Sequence, residues 1–484
     1  MERSLSHPCF RCVATRRGFL RSASAAALGL MIGPYARLGL AEELEEEIDV
    51  QSLRPNPKVS VMAAILRHKP PYWLGWPGTS YNLEGHHKEY TQKLTDACRG
   101  LSIDLAMEKD PIENESQVAA FVEKLKDQKP HGVVLILQHI GCWPMAKTVA
   151  EAGIPTIVFA PVGTAFTGHV RDFSRQKGVY VVSSLEFPAV EFGLRMIRAK
   201  RRFEETRLLW IRQDTRNETV MERLGVKVRR IPRRVFNELF DRMPVTKEVR
   251  SVADRMKWHA KKVVEPTKDD LLNASRAFST AKRLLKDESA NALSMDCLGM
   301  VGQRLVPTPP CMAWSILQDA GVTAGCEADL FGAVSLMFTS YVFDKPGFIN
   351  DPVPETAKNL LIAAHCTSGA RLNGLDRPPE PYILRTHSES DKGVSMQVLW
   401  KVGQPVTLVR FTNPNELILD TGTVVSNVNT PPAGGCRTSF EIKMDDVKDA
   451  RDVQGFHQVV FYGNHRRDVE AFCQLYDIKV THSA

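Results

Sequence analysis

The chain is predicted to be an α/β protein: two Rossmann-like parallel-sheet domains followed by an α+β domain that carries a small antiparallel β-barrel. Three observations predict it. Apolar runs such as "VSVMAAIL" at 59–66 alternate with stretches of helical periodicity over roughly the first 300 residues, the pattern of parallel strands joined by helical crossovers. From about residue 392 the chain changes to short β-rich runs separated by turn residues, which predicts a small antiparallel sheet or barrel. Finally, 484 residues exceed what a single core holds, so two or three domains are expected.

The first 41 residues read as a leader. "TRRGFLR" at 15–21 sets paired arginines, Arg16 and Arg17, before a modest apolar stretch and small residues near Ala41, the pattern of a twin-arginine export signal. Pro34 and Arg37 interrupt the apolar run, which falls short of the roughly 18–20 residues that span a bilayer. The expectation is export to the periplasm without stable membrane insertion. Residues 42–57, with the acidic "EELEEE", read as a linker. The leader holds six arginines and one glutamate, so it carries +5 of the chain's +7. The remainder is near +2, and its charge gives no reason to expect nucleic-acid binding. The basic "VRRIPRR" at 228–234 reads as a solvated turn. Of ten cysteines, Cys9 and Cys12 fall in the leader; the other eight are scattered without zinc-ligand spacing and are expected to be mostly buried free thiols.

Residues 58–176 form the first α/β domain. Its strands are 59–66, "SIDLAME", "GVVLILQ" and "TIVFAPV", and its helices are 89–99 and 115–126. Residues 177–300 form the second. "GVYVVSS" at 178–184 opens it; a helix at 188–200, the strands "TRLLWIR" and "GVKVRRI", and long helices to about 286 follow. "NALSMDCLGM" then reads as a buried strand leading into the C-terminal domain, 301–484. There "SMQVLWKV", "PVTLVRFT", "LILDTGTVVS" and "TSFEIKM" are the β-rich part, and "NVNTPPAGGC" is a loop.

The chemistry concentrates late in the chain. "GVTAGCEADL" at 321–330 sets Glu327 and Asp329 before a run in which Leu330, Ala333, Val334, Met337 and Tyr341 fall at helical spacing, predicting a helix over about 329–343. That helix runs roughly 22 Å, and the extended residues after Pro346-Gly347 return about 23 Å. That geometry can bring Asp351 back beside Glu327. "NLLIAAHC" predicts a buried strand ending in His365, and "GFHQVVFYGNH" places His457 at the start of another apolar run. Two carboxylates and two histidines suit Mn²⁺ or another divalent metal. On local pattern alone, an acid before a helix is a cap and a histidine at a strand end is a hydrogen-bonded structural residue. Asp329 is read as the cap, where Asn would cost little. Asp296 has two equal readings, substrate contact and strand end. "HKPPYWLGWPGTSYNLEGHH" at 68–87, with Trp73, Trp76 and His86, reads equally as a sugar-contacting loop and an ordered surface loop.

The ordered pattern "CEADLFGAVSLMF…FINDP…AAHCTSG…GCRTSFEI…GFHQVVFYGNH" resembles the C-terminal part of the L-fucose isomerase and L-arabinose isomerase superfamily. The resemblance implies that Glu327, Asp351 and His457 bind the metal, with His365 matching the further histidine ligand of the arabinose branch. "GVVLILQHIGCWPMAK" resembles the family strand whose terminal histidine, here His139, contacts substrate, often across a subunit interface. The implied activity is aldose–ketose isomerisation of a monosaccharide by an ene-diol route. Glu327 and Asp351 would be both ligands and acid/base pair, in a homo-oligomer, a trimer or hexamer. No redox cofactor is required, and the chain shows no phosphate-cradling glycine loop or nucleophile elbow. Two other readings stay open at this point: an exported non-catalytic sugar-binding or sensing protein on the same fold, and a metal-dependent hydrolase.

Overall fold

Runs of β-branched and aliphatic residues bounded by turns give a parallel sheet first. It consists of β1 (Val59–Leu66), β2 (Ile103–Met107), β3 (Gly132–Leu137), β4 (Thr156–Pro161) and β5 (Val179–Ser184) in the order β2-β1-β3-β4-β5, with every pairing parallel. The computed structural model describes residues 44–69, 76–303, 308–429 and 435–484; the paired arginines at 16–17, Cys9, Cys12 and Trp73 lie outside them. Every residue of β3 and β4 is buried, as expected where helices cover both faces of a sheet. The strand read above as opening a second unit, 178–184, is instead the fifth strand of this sheet, paired residue for residue with β4.

The next strands are β6 (Arg207–Ile211), β7 (Asn217–Val220), β8 (Lys227–Ile231), β9 (Lys262–Val263), β10 (Ala292–Met295) and β11 (Thr323–Gly325). Five of them form a second sheet in the order β11-β10-β6-β8-β7, parallel except for the β7–β8 hairpin. The basic stretch at 228–234 is not a solvated turn. It ends β8 and begins the helix Arg233–Arg242. Three of its four arginines are engaged: Arg229 pairs with Glu218 and Glu288, Arg233 with Asp296, and Arg230 lies 4.5 Å over the Trp210 ring.

The chain then runs through β12 (Phe348–Glu355), β13 (Leu360–His365), β14 (Tyr382–Arg385), β15 (Ser395–Val398), β16 (Pro405–Asn413), β17 (Glu416–Asn427), β18 (Thr438–Met444), β19 (Gln458–Tyr462) and β20 (Lys479–Thr481). Six of these close into an antiparallel barrel, β16-β19-β12-β13-β18-β17 and back to β16. The barrel therefore begins at residue 348, earlier than the composition change near 392. β14 and β15 stand outside it, joined to β9 in a three-stranded sheet. The architecture is the predicted one: parallel-sheet α/β regions followed by a closed antiparallel barrel.

One helix links these parts. Leu330–Phe343 is buried at every position from Gly332 to Val342, the condition of a helix apolar on all sides. It packs on β11 of the second sheet, on β16 and β19 of the barrel and on the helix Pro188–Glu205. Its few hydroxyls are satisfied internally: Ser335 Oγ donates to the Phe331 carbonyl at 2.8 Å, and the Tyr341 and Thr206 hydroxyls meet at 2.9 Å. Seven of the eight cysteines among the described residues are buried free thiols, and Cys436 is half-buried. Among the described residues no helix is long and apolar enough to cross a membrane.

Candidate metal centre

β11 ends at Gly325 and the chain must turn sharply into the helix Leu330–Phe343. It does so through two successive left-handed residues, Glu327 (φ 57°) and Ala328 (φ 53°). Neither is glycine, and each such residue costs on the order of 1–3 kcal/mol, strain that collects at functional positions. Three hydrogen bonds hold the turn. Trp210 Nε1 donates to the Ala328 carbonyl at 2.6 Å, Ser294 Oγ to the Asp329 carbonyl at 3.0 Å, and the Gly332 N–H to Asp329 Oδ1 at 2.9 Å. The last bond is the predicted helix cap. A third left-handed residue, His457 (φ 58°), precedes β19.

The barrel register supplies the other donors. Asn350 of β12 pairs with Gln458 of β19, so the next residue along, Asp351, lies across from His457. His365 ends β13, the strand on the other side of β12. His457 Nε2 lies 3.2 Å from Asp351 Oδ1 and 3.5 Å from Glu327 Oε2, and His365 Nε2 lies 3.6 Å from Glu327 Oε1. One ligand atom each from Glu327, His365 and His457 falls within 4.8 Å of the others. Two donors about 2.1 Å from a shared ion at near-octahedral or tetrahedral angles stand about 3.0–3.4 Å apart, close to these separations. His457 Nε2 and Asp351 Oδ1 are also buried and make no hydrogen bond. An ion is one partner that such buried polar atoms take. The donor set therefore fits a divalent metal.

Behind the donors stands a supporting layer. His457 Nδ1 lies 2.9 Å from Asp329 Oδ2, and Arg410 grips the same carboxylate at 2.5 and 3.1 Å while also donating to the His457 carbonyl at 3.2 Å. Asp329 is thus more than a cap: it fixes the ring so that Nε2 faces Glu327 and Asp351, the carboxylate–histidine arrangement that orients metal ligands. His365 Nδ1 lies 3.2 Å from Thr367 Oγ1, which turns its Nε2 toward Glu327. Arg410, Thr367, Trp210 and Ser294 were not read from the sequence. Arg410 alone left a trace there, as a charge within the apolar run "PVTLVRFT".

Proton affinities follow from this packing. The His365 and His457 rings beside it hold the Glu327 carboxyl well below the usual carboxylate range, against burial, which pushes it up. Burial opposes the ionised form of Asp329, but His457 and Arg410 hold it at about 2. Burial alone would depress His457; Asp329, Asp351 and Glu327 together raise it to about 11. His365 is raised too, the pull of Glu327 and Asp351 exceeding the effect of burial. The site is built to hold positive charge.

The remaining sequence candidates lie elsewhere in the fold. His139 is outside the donor cluster, at the carboxyl end of β3. There it accepts from the Gly141 N–H at 2.9 Å and meets His68 edge-on at 4.9 Å, at the edge where open parallel sheets bind ligands. His86 stacks between Tyr81 and Tyr90, and Trp76 is half exposed beside Phe166. Asp296 caps the helix Cys297–Gly302 and pairs with Arg233.

No protein-family model matches the chain. It is similar to the sulfoquinovose isomerase of Clostridium sp. (strain MSTE9), with 27% identity over 104 residues, or 21% of this chain. The match spans 23% of that protein's length, so the similarity is to part of a sugar isomerase.

Proposed function

We propose that the protein is a metal-dependent aldose–ketose sugar isomerase working by ene-diol proton transfer. The observation that carries this reading is the convergence of Glu327, Asp351, His365 and His457, with strained backbone at two of the four. The partial similarity to a sulfoquinovose isomerase supports a sugar isomerase, and the ordered C-terminal motifs support the finer likeness to L-fucose and L-arabinose isomerases. A divalent cation held by the four, Mn²⁺ or a similar ion, supplies stabilisation of negative charge developing on the substrate oxygens.

Exposure divides the labour among the protein's own residues. The histidine side chains are 4% and 7% exposed and act as positioned neutral donors. The Glu327 and Asp351 side chains are 27% and 32% exposed and so reach a bound sugar. One takes the proton from the carbon beside the carbonyl and returns it to the neighbouring carbon; the other moves the hydroxyl proton between the two oxygens. The low proton affinity of Glu327 keeps it ionised at neutral pH.

The test is purified protein assayed for metal content and then for ketose formation from a panel of aldoses that includes sulfoquinovose, with and without Mn²⁺. The expected result is metal-dependent ketose from at least one aldose. Saturable sugar binding with no ketose from any of them would overturn the reading in favour of a sugar-binding protein.

The proposal includes export through the twin-arginine route, motivated by "TRRGFLR". Arg16→Lys with Arg17→Lys is expected to leave the protein in the cytoplasmic fraction. Export of the double variant at the wild-type level would remove this part.

A further inference from the structure

Four arginines meet one carboxylate where the helix Pro188–Glu205 packs against the helix Leu330–Phe343. Arg195, Arg198 and Arg202 are spaced three and four residues apart and share one helix face. Arg54 joins them from the segment after the short turn Val50–Leu53. Asp344, the left-handed cap of Leu330–Phe343, lies 2.8 Å from Arg195, 3.6 Å from both Arg198 and Arg202, and 3.8 Å from Arg54. Gly321 gives way to the cluster: a Cβ there would stand 2.8 Å from Arg54 Nε.

The charges do not balance. One carboxylate and a helix C-terminus, worth about half a negative charge, face four guanidiniums that stay ionised. Burial pushes Arg198 down to about 10, with Arg202 beside it and Asp344 pulling the other way. The buried Arg198 Nε and Arg202 Nη1 make no hydrogen bond. Two other arginines find backbone acceptors instead. Arg276 spends its donors on the Met243 and Phe240 carbonyls, and Arg371 on those of Leu375 and Arg377. Arg198 and Arg202 are 15% and 14% exposed, but Arg195 is 38% exposed and opens the cluster to solvent.

We infer that Arg54, Arg195, Arg198 and Arg202 form a binding site for a multivalent tetrahedral oxyanion of the phosphate class, either free or as an ester. Guanidinium forks match that geometry, and a dianion supplies the missing acceptors and charge together. Asp344 occupies part of the cluster and competes with the ligand. The site is separate from the donor cluster and does not depend on the isomerase reading.

The test is calorimetric titration of the purified protein, without added divalent metal, at ionic strength matched with NaCl. Inorganic phosphate is one arm and glucose 6-phosphate the other. Saturable binding of one anion per chain in either arm is expected, and the tighter arm identifies the source. Arg198→Met with Arg202→Met should abolish it. If that pair does not fold, the more exposed Arg195→Gln should weaken it several-fold with an unchanged melting temperature. Asp344→Asn should tighten it several-fold, which a purely structural ion pair would not do. Absence of binding in both arms, or binding indifferent to all three changes, overturns the inference. So does an oligomer that Arg195→Gln dissociates with no phosphate bound, which would make the cluster a contact with a second copy.

Discussion

Glu327→Gln is expected to abolish the proposed isomerisation and to strip most of any bound metal while leaving the fold intact, the largest effect expected of any single change. Both histidines direct Nε2 at this carboxylate, from 3.6 and 3.5 Å. The amide keeps the size and the left-handed backbone, but it has neither charge for a cation nor basicity for a proton. Loss of a positioned acid/base group alone costs about 10²–10⁴-fold in rate, and the lost ligand adds to that. Bound metal, melting temperature and ketose yield, measured together, separate chemistry from packing. Full metal content and full activity in the variant would mean that the reaction lies elsewhere.

The second large effect is expected at Asp329. A cap alone predicts a mild Asp329→Asn, because Asn caps almost as well as Asp. The structure predicts otherwise. The asparagine leaves Arg410, 14% exposed, without its counter-charge, and breaking a buried pair from one side costs about 3–5 kcal/mol. It also slackens the hold on the His457 ring, for which metal affinity falls by about 10–100-fold. The pH dependence changes too. In the wild type, His457 keeps its proton up to about 11, so a cation at Nε2 must displace it. Apparent affinity therefore rises with pH across the neutral and alkaline range, by up to about tenfold per unit for the His457 proton released. The same raised affinity stabilises the cation-free fold fully below about pH 6.5 and is lost as pH rises through about 11. In Asp329→Asn the His457 proton is held less tightly, and the rise in affinity levels off at lower pH. Metal titrations between pH 6 and 10 and a thermal melt check this. Wild-type stability and an unchanged pH profile would return Asp329 to the role of a cap.

How much of this was legible in the sequence depends on how local the cause is. The helix Leu330–Phe343 and its cap follow from residues within one turn of each other, so spacing showed them. β1, β3 and β4 were equally plain, because a strand covered on both faces is apolar throughout. Sheet membership was not. "GVYVVSS" reads the same as the last strand of one sheet or the first of the next, and only its register with β4 decides. The barrel was placed too late because "FINDPVPE" carries two prolines, an asparagine and an aspartate, which hide a strand. At the site, Glu327, Asp351, His365 and His457 were read as residue types in order. The grip of Arg410 on Asp329 spans 81 positions, and no pattern of spacing signals it. The left-handed pair at Glu327 and Ala328 was invisible for another reason: neither residue is one that advertises that conformation.

The closed barrel also sets an order in time. β19 lies between β16 and β12, and it is the last of the six barrel strands to leave the ribosome. Until it inserts, His457 is not beside Asp351, and the donors already synthesised form an incomplete set. A metal held by this donor set would therefore be captured only once that strand is in place. The compartment in which that strand inserts would then decide which ions compete for the site.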